Sequence, residues 1–310
     1  MKSFTIEDRV YGTCSFSEPV LVELVESEAV QRLKGIAQFG VPDIWYHKKG
    51  FFRFEHDVGV AILLAKIGAT TEEQVAGLFH DVSHTAFSHV VDYVIGNVID
   101  ENFQDKILFD FICSDRQIPL ILEKHGFDIK NFETMDRFTL LERPEPELCA
   151  DRVDYALREL AIDGETEVVK MCTNDITAKD GRMCFKSKNV AKIFGEKFLN
   201  LQTTHWAGWE AVSRYYNLAE ALKEALNTGI ISFDDFRKDD TYLVKKLQAS
   251  SNPKIKKIID MLLNGNVTAI EGQKKLRYTD PYYIENGKLM KLSENDEEFN
   301  EKLLEITKKS

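Results

Sequence analysis

The histidines of this chain are concentrated in a short and largely apolar stretch, and no other feature constrains the fold as strongly. Five of the seven histidines lie between residues 47 and 89. The adjacent pair His80 and Asp81 directly follows the apolar run 75–79, which should bury it. Because a buried imidazole or carboxylate without a partner is costly, the fold has to satisfy both groups. A divalent metal bound by histidine and aspartate together would do so, and an ion pair with an arginine is the alternative.

Apolar residues elsewhere recur mainly with the spacing of helices. We predict helices over 18–39, 57–67, 75–84 (entered at 71), 147–162, 189–228 and 232–263, and a charged, solvated helix over 293–310. The first strand signal is the hairpin at 176–185 around Asp180-Gly181, and a second extended stretch covers 276–292. The pattern therefore predicts a mainly α fold with small β-hairpin appendages.

Domain organisation follows from the same pattern, since the chain has no repeat and no low-complexity linker. We predict a core over residues 1–228 that includes the hairpin near 176–185. Residues 229–310 are predicted to form a C-terminal helical and extended region packed on that core. A length of 310 residues is ample to bury a core without disulfides.

Composition excludes several classes of protein. With 40 basic and 51 acidic residues the formal net charge is −11, so we expect no binding to nucleic acid or to an anionic membrane. No apolar run approaches the length of a membrane helix, and residues 1–9 do not resemble a secretory signal. The five cysteines are scattered without a Cys-x-x-Cys pair, which predicts reduced thiols and a cytoplasmic location.

A second polar cluster lies near residue 151. Placed on a helix at about 100° per residue, one quadrant carries acids, a base and a phenol, and the opposite side is apolar. The members of that quadrant are Asp151, Arg152, Tyr155 and Glu159. Such a face can line a site, or it can be a solvated face with intrahelical ion pairs such as Asp154 with Arg158. These residues alone leave both interpretations open.

The clusters together follow a known order: His56, then His80-Asp81, then Asp151. This order resembles the signature of the HD-domain metal-dependent phosphohydrolases. The resemblance is closest to the dNTP triphosphohydrolase branch, which includes dGTPase-like enzymes and the sterile-alpha-motif-and-HD protein. It covers more than half of the chain, through the segments 28–40, 53–56, 80–89 and 148–155. It implies an HD-domain helical bundle and a metal-dependent hydrolase of phosphoric esters or anhydrides.

The resemblance also implies roles for individual residues. One divalent ion (Mn, Mg, Zn, Fe or Ni) would be held by His56, His80, Asp81 and Asp151. The implied catalytic residues are His84, His89, Arg53 and Arg152. The two arginines would contact phosphate, as guanidinium groups do well. The substrate would further be bound by Gln38, Tyr155 and Glu159, at positions that read the deoxyribose in the family.

One of these roles depends on a local break in the chain. On a continuous helix His89 would lie about 180° from His80 and would face away from the metal. The family resemblance therefore implies a helix break between His84 and Phe87, which the composition of this stretch does not dictate.

The chain also departs from the family pattern. Residues 101–104 lack a histidine that the family commonly has, and Asn217-Leu218 replaces a His-Lys pair. These departures predict a thinner set of cationic contacts to the phosphates.

The implied reaction is hydrolysis of a deoxynucleoside triphosphate to nucleoside and inorganic triphosphate. Two alternatives stay open: an HD-domain nucleotidase acting on nucleoside monophosphates, and a regulator that binds metal and nucleotide without catalysis. In each case the partner is a small-molecule nucleotide, with neither nucleic acid nor membrane. The family's habit of assembling through helices implies a homo-oligomer.

Overall fold

Helices dominate residues 3–308, the part of the chain that this computed structural model describes. They are α1 (Pro19–Val25), α2 (Glu28–Arg32), α3 (Arg53–Lys66), α4 (Thr71–Phe79), α5 (Val90–Ile95), α6 (Phe103–Ser114), α7 (Ile118–Lys124), α8 (Ala150–Ile162), α9 (Thr166–Asp175), α10 (Lys188–Leu201), α11 (Trp209–Asn227), α12 (Asp240–Ala249), α13 (Pro253–Leu263), α14 (Leu292–Asn295) and α15 (Glu297–Thr307). The strands are β1 (Phe4–Asp8), β2 (Gly12–Phe16), β3 (Ile176–Lys179), β4 (Arg182–Phe185), β5 (Tyr282–Glu285) and β6 (Lys288–Lys291). The prediction of a mainly α fold with small β appendages is confirmed.

Two apolar clusters form the interior. The larger one is built around α1, α3, α4, α8 and α10, and the smaller one around α5, α11, α12 and α13. Helix α3 packs on both α4 and α8, and it is buried along almost its whole length. Each fully buried Leu or Val contributes about 1.5–3 kcal/mol. Because the polar residues at the start of α3 share this burial, they need partners inside the protein.

Local capping explains where the helices begin and end. The single helix predicted over 18–39 is wrong, because Ser27 caps a new helix there: its Oγ accepts a hydrogen bond from the N–H of Val30 at 3.5 Å. Thr70 caps α4 in the same way, through the N–H of Glu73 at 3.2 Å. Between α10 and α11 the chain passes through one π-helical turn, Gln202–Trp206.

The strands form two separate sheets. The predicted hairpin is confirmed as β3 and β4, with Asp180 and Gly181 at φ of +52° and +71° in its turn. Strand β5 pairs in parallel with β4, which gives the sheet order β3-β4-β5-β6. The expectation that no strand precedes residue 176 is wrong, since β1 and β2 form an antiparallel hairpin. These strands are five residues each and only partly buried, so their apolar alternation is weak.

The C-terminal residues are attached to the core. The predicted helix in the tail is confirmed as α15, but it is not solvated on all sides, because Phe299 and Leu303 are buried. Phe299 lies so close to Gly195 of α10 that a Cβ there would be 2.6 Å from its ring. The domain boundary at residue 228 stays a prediction. All five cysteines carry free thiols, and no helix within residues 3–308 has the length and apolarity to cross a bilayer.

Candidate metal centre

The ring of His56, on α3, is fixed by a hydrogen bond to the buried carboxylate of Asp154. Its Nδ1–H donates to Asp154 Oδ2 at 2.8 Å, and Asp154 also accepts from Arg158 Nε at 2.7 Å and from the Tyr11 hydroxyl at 2.9 Å. The helix makes room for this arrangement at Gly59, where a Cβ would lie 1.7 Å from Arg158 Nη2. A carboxylate behind the ring fixes its orientation and turns Nε2 toward the opposite side.

Nε2 of His56 faces a second carboxylate, Asp151 of α8, at 3.0 Å. Burial by itself lowers the pKa of His56, but the hydrogen bonds to Asp151 and Asp154 outweigh burial and raise the pKa to about 9. The proton between His56 Nε2 and Asp151 therefore lies at a position that is favourable for a cation.

His80 and Asp81 complete this cluster from the end of α4. His80 Nδ1–H donates to the carbonyl of Gly77 at 2.8 Å, so Nε2 is the nitrogen left to bind a cation, either a proton or a metal ion. That Nε2 is buried without a hydrogen-bond partner among the described residues, 3.6 Å from Asp151 Oδ1 and 3.8 Å from Asp81 Oδ1. Asp81 Oδ2 lies 3.8 Å from His56 Nε2.

The four residues predicted from the resemblance to bind metal thus come together. Two imidazole nitrogens and two carboxylates around one point form a donor set that suits a borderline divalent metal. The unpartnered nitrogen of His80 is the group such an ion would satisfy. Ligand atoms of His56, His80 and Asp81 lie close enough together to hold a metal ion, and Asp151 adjoins them through both histidines.

A fifth residue, the acid Asp57, adjoins the cluster and was not singled out by the sequence pattern. One of its oxygens lies within 4.8 Å of ligand atoms of His56, His80 and Asp81. Its carboxylate is fully buried, and neither oxygen has a hydrogen-bond partner within residues 3–308. Burial raises the pKa of Asp57 well above its usual value and so favours the neutral acid.

The helix breaks before His89 as expected, but α4 already ends at Phe79, earlier than the predicted break between His84 and Phe87. Phe87 and Ser88 have φ of +64° and +46°, a conformation that few non-glycine residues adopt. Asp240 stabilises the turn, because its Oδ1 accepts the N–H of Phe87 at 2.7 Å. As a result the rings of His84 and His89 meet edge to face, with their centroids 4.8 Å apart.

The surroundings of both histidines favour the neutral form of the imidazole ring. His84 Nε2 lies 3.2 Å from Asp81 Oδ1. Burial and the charge of Arg53 lower the pKa of His84 to about 4. Burial, together with His84 and Arg53, also holds the pKa of His89 well below its usual value. Near pH 7 each ring is therefore neutral and can accept a proton.

The two predicted phosphate-binding arginines lie beside the cluster, and both are anchored. Arg53 donates from Nη1 to Asp81 and from Nε to Ser88 Oγ at 3.1 Å. Arg152 donates to the carbonyl oxygens of Arg143 at 2.5 Å and Glu147 at 3.0 Å. Anchored guanidinium groups present their charge with little loss of side-chain entropy.

The polar face of α8 lines a cavity and is not solvated. Arg152 and Glu159 are buried, and the ion pair between Asp154 and Arg158 is buried as well. The cavity has a volume of about 480 Å³, which lies in the range of small-molecule sites. It extends from His80, Asp81 and Asp151 to an aromatic wall of Phe39, Tyr46, Phe51, Trp206 and Tyr215.

The predicted substrate-reading residues line the same cavity but differ in their free hydrogen-bonding capacity. Oε1 of Gln38 is buried and accepts no hydrogen bond within the described part of the chain. Glu159, in contrast, accepts from His205 Nδ1, from Trp206 Nε1 at 2.7 Å and from Lys48 Nζ at 2.8 Å.

The sequence analysis missed three cations that line the cavity: Lys274, Lys275 and Arg277. The expectation of a thinner cationic set rested on residues 101–104, which contain no histidine, and on Asn217-Leu218 of α11, which carry no charge. The three cations come from a stretch without helix or strand, so no periodicity could place them at the cavity. Their signal in the sequence is only the density of charge between residues 274 and 277.

Comparison with known proteins gives the family. No protein-family model matches the chain. It is 38% identical over 299 residues to the uncharacterized protein YdhJ of Bacillus subtilis, covering 93% of this chain and 91% of that protein. It is 32% identical over 295 residues to the metal-dependent phosphohydrolase cns2 of Cordyceps militaris, covering 90% of this chain and 84% of that protein. The chain belongs to the metal-dependent phosphohydrolases.

Within that family this phosphohydrolase is of the HD type. It is 23% identical over 309 residues to the SAMHD1 homologue of Dictyostelium discoideum, which is named a deoxynucleoside triphosphate triphosphohydrolase. That match covers 84% of this chain and 59% of that protein. A crystal structure of a phosphohydrolase from Bacteroides thetaiotaomicron shares the fold, with a TM-score of 0.69, 19% identity and 94% of each chain covered.

Proposed function

We propose that this metal-dependent phosphohydrolase converts deoxynucleoside triphosphates to nucleoside and inorganic triphosphate. The observation that carries the proposal is the single cavity that joins the His–Asp cluster to anchored arginines and to an aromatic wall. Such a cavity offers a phosphate-binding end and a surface on which a nucleoside can pack. The similarity to the SAMHD1 homologue supports the same substrate class.

In this proposal His56, His80, Asp81 and Asp151 hold one divalent ion. When bound, the ion supplies a Lewis acid at a phosphoryl oxygen and lowers the pKa of a water molecule. Asp154, through Nδ1 of His56, and the carbonyl of Gly77, through Nδ1 of His80, keep both imidazole Nε2 atoms directed at the ion.

The remaining catalytic roles fall to groups that touch the phosphate. Arg53 and Arg152 bind the phosphoryl oxygens and neutralise the charge that develops on them. His84 or His89, both neutral near pH 7, accepts the proton of the attacking water and then donates that proton to the leaving oxygen.

Recognition of the sugar is assigned to three residues of the cavity wall: Gln38, Tyr155 and Glu159. The free Oε1 of Gln38 accepts a hydrogen bond from a sugar hydroxyl, and the ring of Tyr155 packs against the sugar. Glu159 borders the same region, and its three donors let it hold His205 and Trp206 in place as well.

Substrate panels with product analysis test the proposal. The purified protein is incubated with Mn²⁺ and separate sets of deoxynucleoside triphosphates, ribonucleoside triphosphates and nucleoside monophosphates, and the products are resolved by chromatography. We expect inorganic triphosphate and nucleoside from the deoxynucleotides. Orthophosphate from monophosphates alone would favour the nucleotidase, and binding without any product would favour the regulator.

Two further predictions belong with this function. Five free thiols fit a reducing compartment, so we infer a cytoplasmic location. A homo-oligomer is inferred from the family resemblance, and sedimentation velocity on the purified chain tests it.

A further inference from the structure

Residues 266–281 run beside the cavity without helix or strand, yet they are fastened along their length. The N–H of Ile270 donates to Ser213 Oγ of α11 at 2.9 Å. Gly272 fits against Tyr216 so closely that a Cβ there would lie 2.2 Å from the ring. At the other end the N–H of Asp280 donates to the carbonyl of Pro146 at 2.8 Å. The segment is therefore positioned by both α11 and the loop that precedes α8.

Between these anchors the segment places Lys274, Lys275 and Arg277 along the cavity. The side chains of Lys274 and Arg277 are only 7% and 16% exposed. Nζ of Lys274 lies 3.4 Å from the centre of the Tyr215 ring, a cation–π contact. Cations with so little exposure are costly unless anions compensate them.

One buried carboxylate, Glu101, organises two of the three cations. Its oxygens lie 2.6 Å from Arg277 Nη2 and 3.6 Å from Lys274 Nζ, and it accepts the Tyr93 hydroxyl at 3.2 Å. Glu101 is fully buried, and its φ of +47° is unusual for a residue other than glycine. A side chain held in this conformation, with these partners, sets the position of both cations.

Glu101 does not balance the charge of the whole group. Lys275 forms neither a hydrogen bond nor an ion pair between residues 3 and 308, and its charge acts on both Glu101 and Asp105, which also line the cavity. Three cations therefore share a single bonded carboxylate, so the segment adds positive charge to a cavity whose wall also carries acidic residues such as Asp105, Glu142 and Glu145. Arg53 is bonded to Asp81 of the His–Asp cluster, and the charge of Arg277 acts on His89 and Tyr155, so the segment adds its cations to the cavity that also holds Arg53 and Arg152.

We propose that Lys274, Lys275 and Arg277 form a phosphate clamp that binds the phosphates beyond the one at the His–Asp cluster. Glu101 is the positioning residue of the clamp. The proposal rests on the proposed function and deepens it: the clamp makes the enzyme selective for polyphosphate over monophosphate nucleotides. A monophosphate reaches only the arginines at the cluster, whereas a triphosphate engages both sets of cations.

Kinetics of matched lysine variants test the clamp. Lys275→Ala removes a cation that has no bonding partner, so the fold should be kept, and Lys257→Ala removes an exposed lysine of α13 as the control. For a deoxynucleoside triphosphate we expect the KM of Lys275→Ala to rise about tenfold, the effect of losing one charge-assisted contact, and that of the control to stay unchanged. A KM that is the same in Lys275→Ala and the wild type would overturn the clamp while leaving the proposed function intact.

A binding measurement separates the clamp from the reaction. Titration calorimetry with inorganic tripolyphosphate, on protein carrying its own metal and with no metal added, does not require hydrolysis. We expect tripolyphosphate binding to weaken about tenfold in Lys275→Ala and orthophosphate binding to be unchanged. Wild-type protein that binds tripolyphosphate through these residues but hydrolyses no deoxynucleotide would refute the proposed function and keep the clamp. Equal tripolyphosphate binding by wild type and variant would refute the clamp.

The role of Glu101 is tested by Glu101→Gln, which keeps the size of the side chain and removes its charge. A positioning role predicts a higher KM for the triphosphate, while kcat for that substrate and binding of orthophosphate change little. A purely structural role predicts equal losses for both ligands, or a fall in kcat, and either result would remove Glu101 from the clamp.

Discussion

Replacing Asp154 by asparagine perturbs the candidate metal centre without touching a proposed ligand. The variant removes the charge behind His56 and puts an amide N–H₂ among three donors: His56 Nδ1, Arg158 and the Tyr11 hydroxyl. At least one of these donors loses its acceptor. A lost hydrogen bond to a charged group costs about 1.5–3 kcal/mol, which corresponds to roughly 10- to 100-fold in metal affinity. Arg158 keeps its partner Asp8 at 2.7 Å, so the protein should still fold.

The assay is metal retention against a competing chelator, with the metal content of the protein measured by mass spectrometry. Asp260→Asn is the control, because Asp260 is an exposed residue of α13 and undergoes the same chemical change. We expect Asp154→Asn to lose its metal at 10- to 100-fold lower chelator concentration than the control. Wild-type retention by Asp154→Asn would refute the argument that this carboxylate directs His56 at the ion.

Three further predictions follow from single contacts. Gly59→Ala should lower the free energy of unfolding by about 1–3 kcal/mol, because the new Cβ would lie 1.7 Å from Arg158 Nη2; a gain in stability, the usual effect of alanine in a helix, would contradict this close approach. Burial raises the pKa of Asp240 to about 7, so the folded protein holds this proton more tightly than the unfolded chain does. The stability that the protonated Asp240 contributes is complete below the ordinary pKa of 3.8 and is lost as the pH rises through about 7. Between pH 5 and pH 8 the free energy of unfolding, measured with denaturant, should fall less in Asp240→Asn than in the wild type. Equal falls in the two proteins would contradict this role of Asp240. Burial lowers the pKa of Lys274 to about 8, so the KM for a triphosphate should rise above that pH in the wild type, but not in Lys274→Arg, whose charge persists; parallel pH profiles would rule this out.

The parts of the site that could be predicted from sequence are those carried by order and local geometry. His56, His80, Asp81 and Asp151 are recognisable from their order along the chain, and the structure places them together. The break before His89 was expected from the family resemblance, since on a continuous helix that ring would face away from the cluster. The sequence did not show what stabilises the break, which is a hydrogen bond to the carboxylate of Asp240, more than 150 residues later in the chain.

The parts that could not be predicted depend on long-range contacts. From the sequence alone Asp154 could be one half of a surface ion pair, because the spacing of residues on a helix does not distinguish a solvated face from a buried one. Only the packing of α3 on α8 brings it to His56. The cations at 274–277 lie in a segment without periodicity, so their position is set by α11 and by Pro146 and not by local propensity.

The central claim is that the His–Asp cluster binds the metal on which hydrolysis depends. The most direct measurement compares metal content and turnover in the wild type and in the double variant His80→Ala/Asp81→Ala, with circular dichroism to verify the fold. We predict that the folded double variant loses both the metal and the release of inorganic triphosphate. Turnover that persists in a metal-free double variant would contradict the account.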